Sequence, residues 1–169
     1  LAAKLQKRKF RTYVLLGDGE IAEGSIYEAC QLAVHYKLNN LAAIVDVNRQ
    51  GQTGETILGH DMKSYKKRFE GFGWKVIVID GHKIEQIINA LKLARKSNKP
   101  VVILAKTFKG KGISFIENKN DWHGKAMNEN QLEKALKEIP ESVMPKVKIK
   151  KPVKDNLKMH VEGEFAKLK

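Results

Sequence analysis

The sequence predicts an α/β fold, a parallel sheet with helices on both faces. Three observations carry that expectation. Four apolar runs of strand length, rich in β-branched residues, lie at 12–16, 41–47, 75–80 and 100–106. They are continuous rather than alternating, the pattern of strands buried on both faces of a parallel sheet. Between them lie segments with apolar residues at helical spacing, so strand and helix alternate along the chain. With 169 residues, 42% of them hydrophobic, the chain is long enough for one domain with a core of its own.

Taken in order, LAAKLQKRKF opens in helical rhythm with Leu1, Ala2 and Leu5 on one side, as if a helix began earlier. A fragment, or one part of a longer polypeptide, is therefore expected. TYVLL (12–16) is the first strand, and it stops at Gly17-Asp18-Gly19-Glu20. Residues 23–37 carry Ile26, Ala29, Cys30, Ala33 and Val34 on one helical face, with Asn39-Asn40 as the stop. LAAIVDV (41–47) is the second strand and leads into NRQGQTGET. A short helix is expected over 62–72, then strand KVIVID (75–80) and the turn DGH. Ile84, Ile87, Ile88, Leu91 and Ala94 mark a helix over 83–97, closed by Ser97-Asn98-Lys99-Pro100. Strand 100–106 feeds the loop KTFKGKG. NENQLEKALKEI (128–139) reads as a last helix capped by Asn128 or Asn130. The domain is expected to span 1–139, with 140–169 a Lys-rich tail or linker.

No apolar run reaches the ~20 residues needed to cross a bilayer. One cysteine, Cys30, allows no internal disulfide and fits a reducing, cytoplasmic setting. It falls inside a helix and reads as a small buried apolar residue. Lys and Arg number 32 against 19 Asp and Glu, a net charge of +13. The lysines are spread along the chain without nucleic-acid-binding motifs. They read as a solvated surface that attracts anionic substrates rather than as a nucleic-acid interface.

Ligands of open parallel sheets bind at the carboxyl ends of the strands, which here are GDGE, NRQGQTGET, DGH and KTFKGKG. In GDGE the glycines allow close approach and unusual backbone angles, and Asp18 either caps the following helix or ligates a hard cation such as Mg²⁺. Asn48, closing the next strand, supplies a second hard oxygen, and one cation gripped by both would keep diphosphate oxygens or waters elsewhere. Asp46 is a competing ligand, but alternation sets it within its strand. Lys109, in a glycine-flanked loop, is placed for phosphate or is plain surface charge. His123 in WHGK is a loop histidine, and His82 in DGH reads as structural.

GDG followed about thirty residues later by Asn, each closing a strand, is similar to the thiamine-diphosphate-binding motif. EGSIYEA, HYKLNNLAAIVDVNRQGQ, FGW at 72–74, VIDGH, AKTFKGKGIS and WHGK together resemble transketolase, from about residue 10 to residue 139. The resemblance implies the thiamine-diphosphate-binding fold, incomplete in this chain. It implies that Asp18, Asn48 and the Gln50 carbonyl hold Mg²⁺, with Ca²⁺ or Mn²⁺ as possible substitutes. Gly19 would meet the diphosphate, and Asn48, Lys109, His123 and Gln52 would lie near the cofactor. His123 would also serve as the catalytic residue toward the donor sugar. Glu23 and Glu28, five apart, read as solvated helix charges; in the family, acidic residues here join a proton network at the subunit interface.

The implied activity moves a two-carbon ketol unit from a ketose phosphate to an aldose phosphate, a reaction of the pentose phosphate pathway and carbohydrate metabolism. No segment resembles the family's pyrimidine-binding domain or the earlier half of its diphosphate-binding domain. The chain alone is expected to be inactive, acting in a homodimer, with a complementary chain, or both. 1-Deoxyxylulose-5-phosphate synthase, dihydroxyacetone synthase and a non-catalytic anion-binding or interaction module on the same scaffold are the alternatives.

Overall fold

The computed structural model describes residues 1–139, so the tail expected at 140–169 lies outside the described residues. The architecture is α/β as the sequence predicts, with every expected strand within one residue of its predicted bounds. A helical turn α1 (Ala2–Leu5) precedes β1 (Thr12–Gly17), and a 3₁₀ turn (Glu20–Ala22) leads into α2 (Gly24–His35). Then follow β2 (Leu41–Val47), α3 (Met62–Gly71), β3 (Lys75–Asp80), α4 (Ile84–Arg95), β4 (Val101–Lys106) and α5 (Glu129–Glu138). The four strands are all parallel, in the order β1-β2-β4-β3.

One core lies beneath α2 and α3, where Cys30, Ala33, Tyr65 and Phe69 meet Val45, Val47, Val102 and Leu104. The other lies beneath α4, where Ala90 and Ala94 meet Ala42, Val101, Ile103 and Ala105. After β3 the chain reverses its direction across the sheet, and its helix changes face, as connections of one hand require. β2 and β4 have core on both sides, and burying each of their large apolar side chains is worth about 1.5–3 kcal/mol.

β1 departs from the expectation of burial on both faces. It is an edge strand, with Tyr13 47% and Leu15 72% exposed. Leu16 packs into the α2 side, while the Tyr13 and Leu15 side has no helix over it among the described residues. On α4 the buried stripe is Ala90 and Ala94 with Ile87 and Leu91 against it. Ile84 and Ile88 point outward, at 69% and 46% exposure. At the chain start it is Ala3 that is buried, not Leu1.

Helix ends follow local chemistry. α2 stops before Asn39-Asn40, because Lys37 takes a left-handed conformation (φ +51°) and the Leu38 amide bonds back to the Ala33 carbonyl. Asp61 caps α3 through the Ser64 amide. Asn128, one of the two expected candidates, caps α5 in a reciprocal pair with Gln131. In FGW, Gly73 (φ +88°) turns the chain so that buried Trp74 packs edge-on to Phe69 and donates its indole N–H to the Cys30 carbonyl. Cys30 is buried and unpaired, and burial pushes its thiol up to about 11. No described helix is long and apolar enough to cross a membrane.

Candidate cation and cofactor site

Because β1, β2 and β4 are neighbours in register, Asp18, Asn48 and Thr107 leave the sheet side by side. Gly17 pairs with Asp46, and Val47 with Lys106. Asp18 is only 3% exposed, yet caps no helix: the first residues of both the 3₁₀ turn and α2 lack a side-chain cap bond. Instead its Oδ2 accepts the Arg49 amide at 2.7 Å and the Thr56 hydroxyl at 3.0 Å. Burial raises its carboxyl above the ordinary value, the Asp46 charge adds to that, and the Thr56 and Arg49 donors oppose it.

Asn48 is held at both ends of its amide. Nδ2 donates to Asp46 Oδ2 at 3.0 Å, and Oδ1 accepts the Gln50 amide at 2.9 Å. Asp46 also accepts the Thr107 hydroxyl from β4's end. A carboxylate only accepts, so Asp46 fixes which end of the Asn48 amide carries the oxygen. Gln50 is 6% exposed, and its side-chain Nε2 is buried without a hydrogen-bond partner. Gly19 has ordinary helical angles (φ −68°, ψ −40°), contrary to the unusual geometry expected of it, and a Cβ there would meet nothing closer than Thr56 at 3.8 Å. A glycine here therefore relieves no strain, and its amide acts on the Asp18 carboxylate.

A second pair forms on the β4 loop. Lys109 Nζ lies 3.2 Å from Nδ1 of His123. An ammonium can only donate, so Nδ1 accepts and the ring proton sits on Nε2. The loop is held from behind by two histidines. His82 Nε2 accepts the Phe108 amide at 2.8 Å with the rings stacked, and His60 Nε2 lies 2.9 Å from the Thr107 carbonyl.

Of the expected site residues, Asp18, Asn48 and Gln50 come together, and Lys109 joins His123. Gln52 stands exposed on the outer part of its loop, and Glu23 and Glu28 are exposed at the start of α2 and along it. Thr56, Arg49 and Asn118 were not singled out from the sequence. The only trace of Thr56 there is a hydroxyl within a glycine-rich loop.

A cavity of about 180 Å³ beside Asp18 is lined by Gly19, Thr56, Leu58, Tyr65 and Arg68. At these strand ends the buried Asp18 carboxylate and the oriented Asn48 amide oxygen suit a hard cation, whereas the unpartnered Gln50 Nε2–H suits an anion's oxygen. Among the described residues no three His, Cys, Asp or Glu cluster around a metal. A cation here would therefore complete its shell with phosphate oxygens or water, as Mg²⁺ does.

Fold and site together define a parallel α/β domain that gathers oxygen donors and a Lys–His pair at the carboxyl edge of its sheet. The profile of the family described as "Transketolase, thiamine diphosphate binding domain" matches residues 4–168, running past residue 139 where the quoted motifs stop. The chain belongs to the transketolase family, within its thiamine-diphosphate-binding domain. It is similar to transketolase of Homo sapiens, 47% identical over 143 residues, 85% of this chain and 23% of the relative. Transketolase-like protein 2 of Mus musculus is 42% identical over 153 residues, 89% of this chain and 24% of the relative. The chain thus spans about a quarter of the length of the curated relatives it matches.

Among solved structures, transketolase from Campylobacter jejuni superposes with a TM-score of 0.75 at 38% identity, covering 80% of this chain and 22% of that one. A Pichia stipitis transketolase in complex with sedoheptulose-7-phosphate gives 0.60 at 30% identity, covering 68% of this chain and 17% of that one.

Proposed function

We propose that this chain is the cofactor- and metal-anchoring part of a transketolase, transferring a two-carbon ketol unit from a ketose phosphate to an aldose phosphate. The observation that carries the reading is the buried Asp18 carboxylate beside the oriented Asn48 amide, at the ends of adjacent strands. Asp18, Asn48 and the Gln50 carbonyl would hold Mg²⁺, and Gly19 would meet the diphosphate. When bound, thiamine diphosphate would supply the electron sink that lets the carbon–carbon bond break and form.

The chain's own groups bind and orient. Lys109 keeps the His123 proton on Nε2, where it can donate a hydrogen bond to a sugar oxygen, and the Lys109 charge adds positive potential toward phosphorylated substrates. Gln52 would line the outer part of the same site. The apolar edge of β1 supports the view that the working protein has more sheet and a covering element there, from further polypeptide or a complementary chain. Glu23 and Glu28, exposed at the start of α2 and along it, would share protons across a homodimer interface. The assembly would work in the cytoplasm, in the pentose phosphate pathway.

The test is a sugar-phosphate product assay on the complete protein with thiamine diphosphate and Mg²⁺. Ketol transfer between a ketose phosphate and an aldose phosphate supports the reading. Formation of 1-deoxyxylulose 5-phosphate or dihydroxyacetone redirects it to a sister enzyme, and cofactor-independent anion binding without products overturns it.

A further inference from the structure

Arg49 sits between the two halves of the site and touches both. Its backbone is left-handed (φ +63°), a conformation disfavoured for a residue with a side chain. Its amide donates to Asp18 Oδ2 at 2.7 Å. Its guanidinium reaches the other loop, donating Nε–H to Asn118 Oδ1 at 2.7 Å and a terminal N–H to the Asn118 carbonyl at 3.1 Å. Glu55 steadies the same guanidinium at 3.3 Å. Asn118, also left-handed (φ +56°), returns its amide to the Lys109 carbonyl at 2.8 Å, and Lys109 holds His123. An unbroken series of hydrogen bonds thus runs from Asp18 through Arg49, Asn118 and Lys109 to His123.

We infer that Arg49 is a positioning residue that couples the cation site to the Lys109–His123 loop. It rests on the function proposed above. The planar fork matters as much as the charge. Two parallel bonds to one asparagine fix both the position and the rotation of Asn118, which a point charge on a flexible stem does not. Arranging the Asp18 end therefore biases the His123 end, and coupling of this kind is reciprocal. Loosening Asn118 must weaken cation and cofactor binding, although neither Asn118 nor the guanidinium contacts Asp18.

The test compares wild type, Arg49→Lys, Asn118→Gly and the double variant in the complete protein. Asn118→Gly tolerates the left-handed backbone and removes only the side-chain acceptor. Amide hydrogen exchange is followed over 48–56 and 107–124, alone and with Mg²⁺ plus thiamine diphosphate. In wild type, the ligands slow exchange in both segments. In each variant the slowing over 107–124 is lost, cofactor affinity falls about fivefold or more, and the double variant is no worse than either single one. A purely local structural role would leave the ligand-induced slowing intact or make the two effects multiply, and either result overturns the coupling.

A ligand-free arm decides the matter separately. There, Asn118→Gly speeds exchange over 49–56 as well as in its own loop, and faster exchange confined to 107–124 contradicts the inference. No slowing in either wild-type segment on adding ligands contradicts the proposed function, with the ligand-free arm still deciding the coupling.

Discussion

The Lys109 ammonium lies 3.2 Å from Nδ1 of His123, fourteen residues along the chain. By that contact Lys109 selects the histidine's tautomer. Lys109→Met removes the donor, so the ring proton is free to move to Nδ1. Turnover is expected to fall about 100-fold, with cofactor affinity weakened much less. Steady-state kinetics with separate cofactor titration checks this; a loss confined to cofactor affinity would return Lys109 to simple phosphate binding.

Thr56 donates to Asp18 from 38 residues away and is the lateral support of the carboxylate. Thr56→Val keeps the shape and deletes the bond. Partners of this kind are worth tenfold to a hundredfold in metal affinity, so Mg²⁺ dependence of cofactor binding is expected to shift to about tenfold higher Mg²⁺. Serine at the same position is expected to restore it.

Asp18 also sets a pH dependence. Burial raises its carboxyl in the folded state. Stability from a group raised in this way is complete below its unfolded value and is lost as pH rises through the raised one. Near neutral pH the cation-free protein therefore carries a costly buried charge. Asp18→Asn still accepts from Arg49 and Thr56, so its cation-free Tm at pH 7 is expected to exceed wild type by a few degrees. The gain should vanish as pH falls below about 4, where the wild-type carboxyl is protonated. Added Mg²⁺ with thiamine diphosphate is expected to raise only the wild-type Tm. Scanning calorimetry across pH measures all three.

Cys30 is 4% exposed, with its thiol pushed up to about 11. Labelling by a thiol reagent in native buffer is expected to be no faster than global unfolding, and to become immediate in denaturant. Rapid native labelling would show that α2 opens locally.

Leu15, 72% exposed on the open face of β1, tests whether a further layer covers that face. Leu15→Glu is expected to leave the Tm of this chain alone nearly unchanged. In the complete protein it should cost about 2 kcal/mol or more, through an unpaired buried charge. Equal Tm changes in both settings would mean that this face stays uncovered.

The fold was legible in the sequence because each strand is a continuous β-branched run and each helix carries its own periodicity. Lys37 was not, since a left-handed lysine leaves no compositional mark, whereas Asn39-Asn40 looks like a stop. β1 read as doubly buried because its composition matches that of β2, and composition does not record which strand lies at an edge. At the site, Asp18, Asn48, Lys109 and His123 stand in distinctive contexts next to glycine or at strand ends. Arg49, Thr56 and Asn118 act through contacts spanning 31 to 69 residues, which no local pattern encodes.

The central claim, that Asp18 anchors the cofactor through a cation, is tested most directly by titration calorimetry. The complete protein is titrated with thiamine diphosphate with and without Mg²⁺, as wild type and as Asp18→Ala. The account predicts Mg²⁺-dependent binding in wild type and a loss of about 100-fold or more in the variant. Unchanged affinity in Asp18→Ala, or wild-type binding indifferent to Mg²⁺, would contradict it.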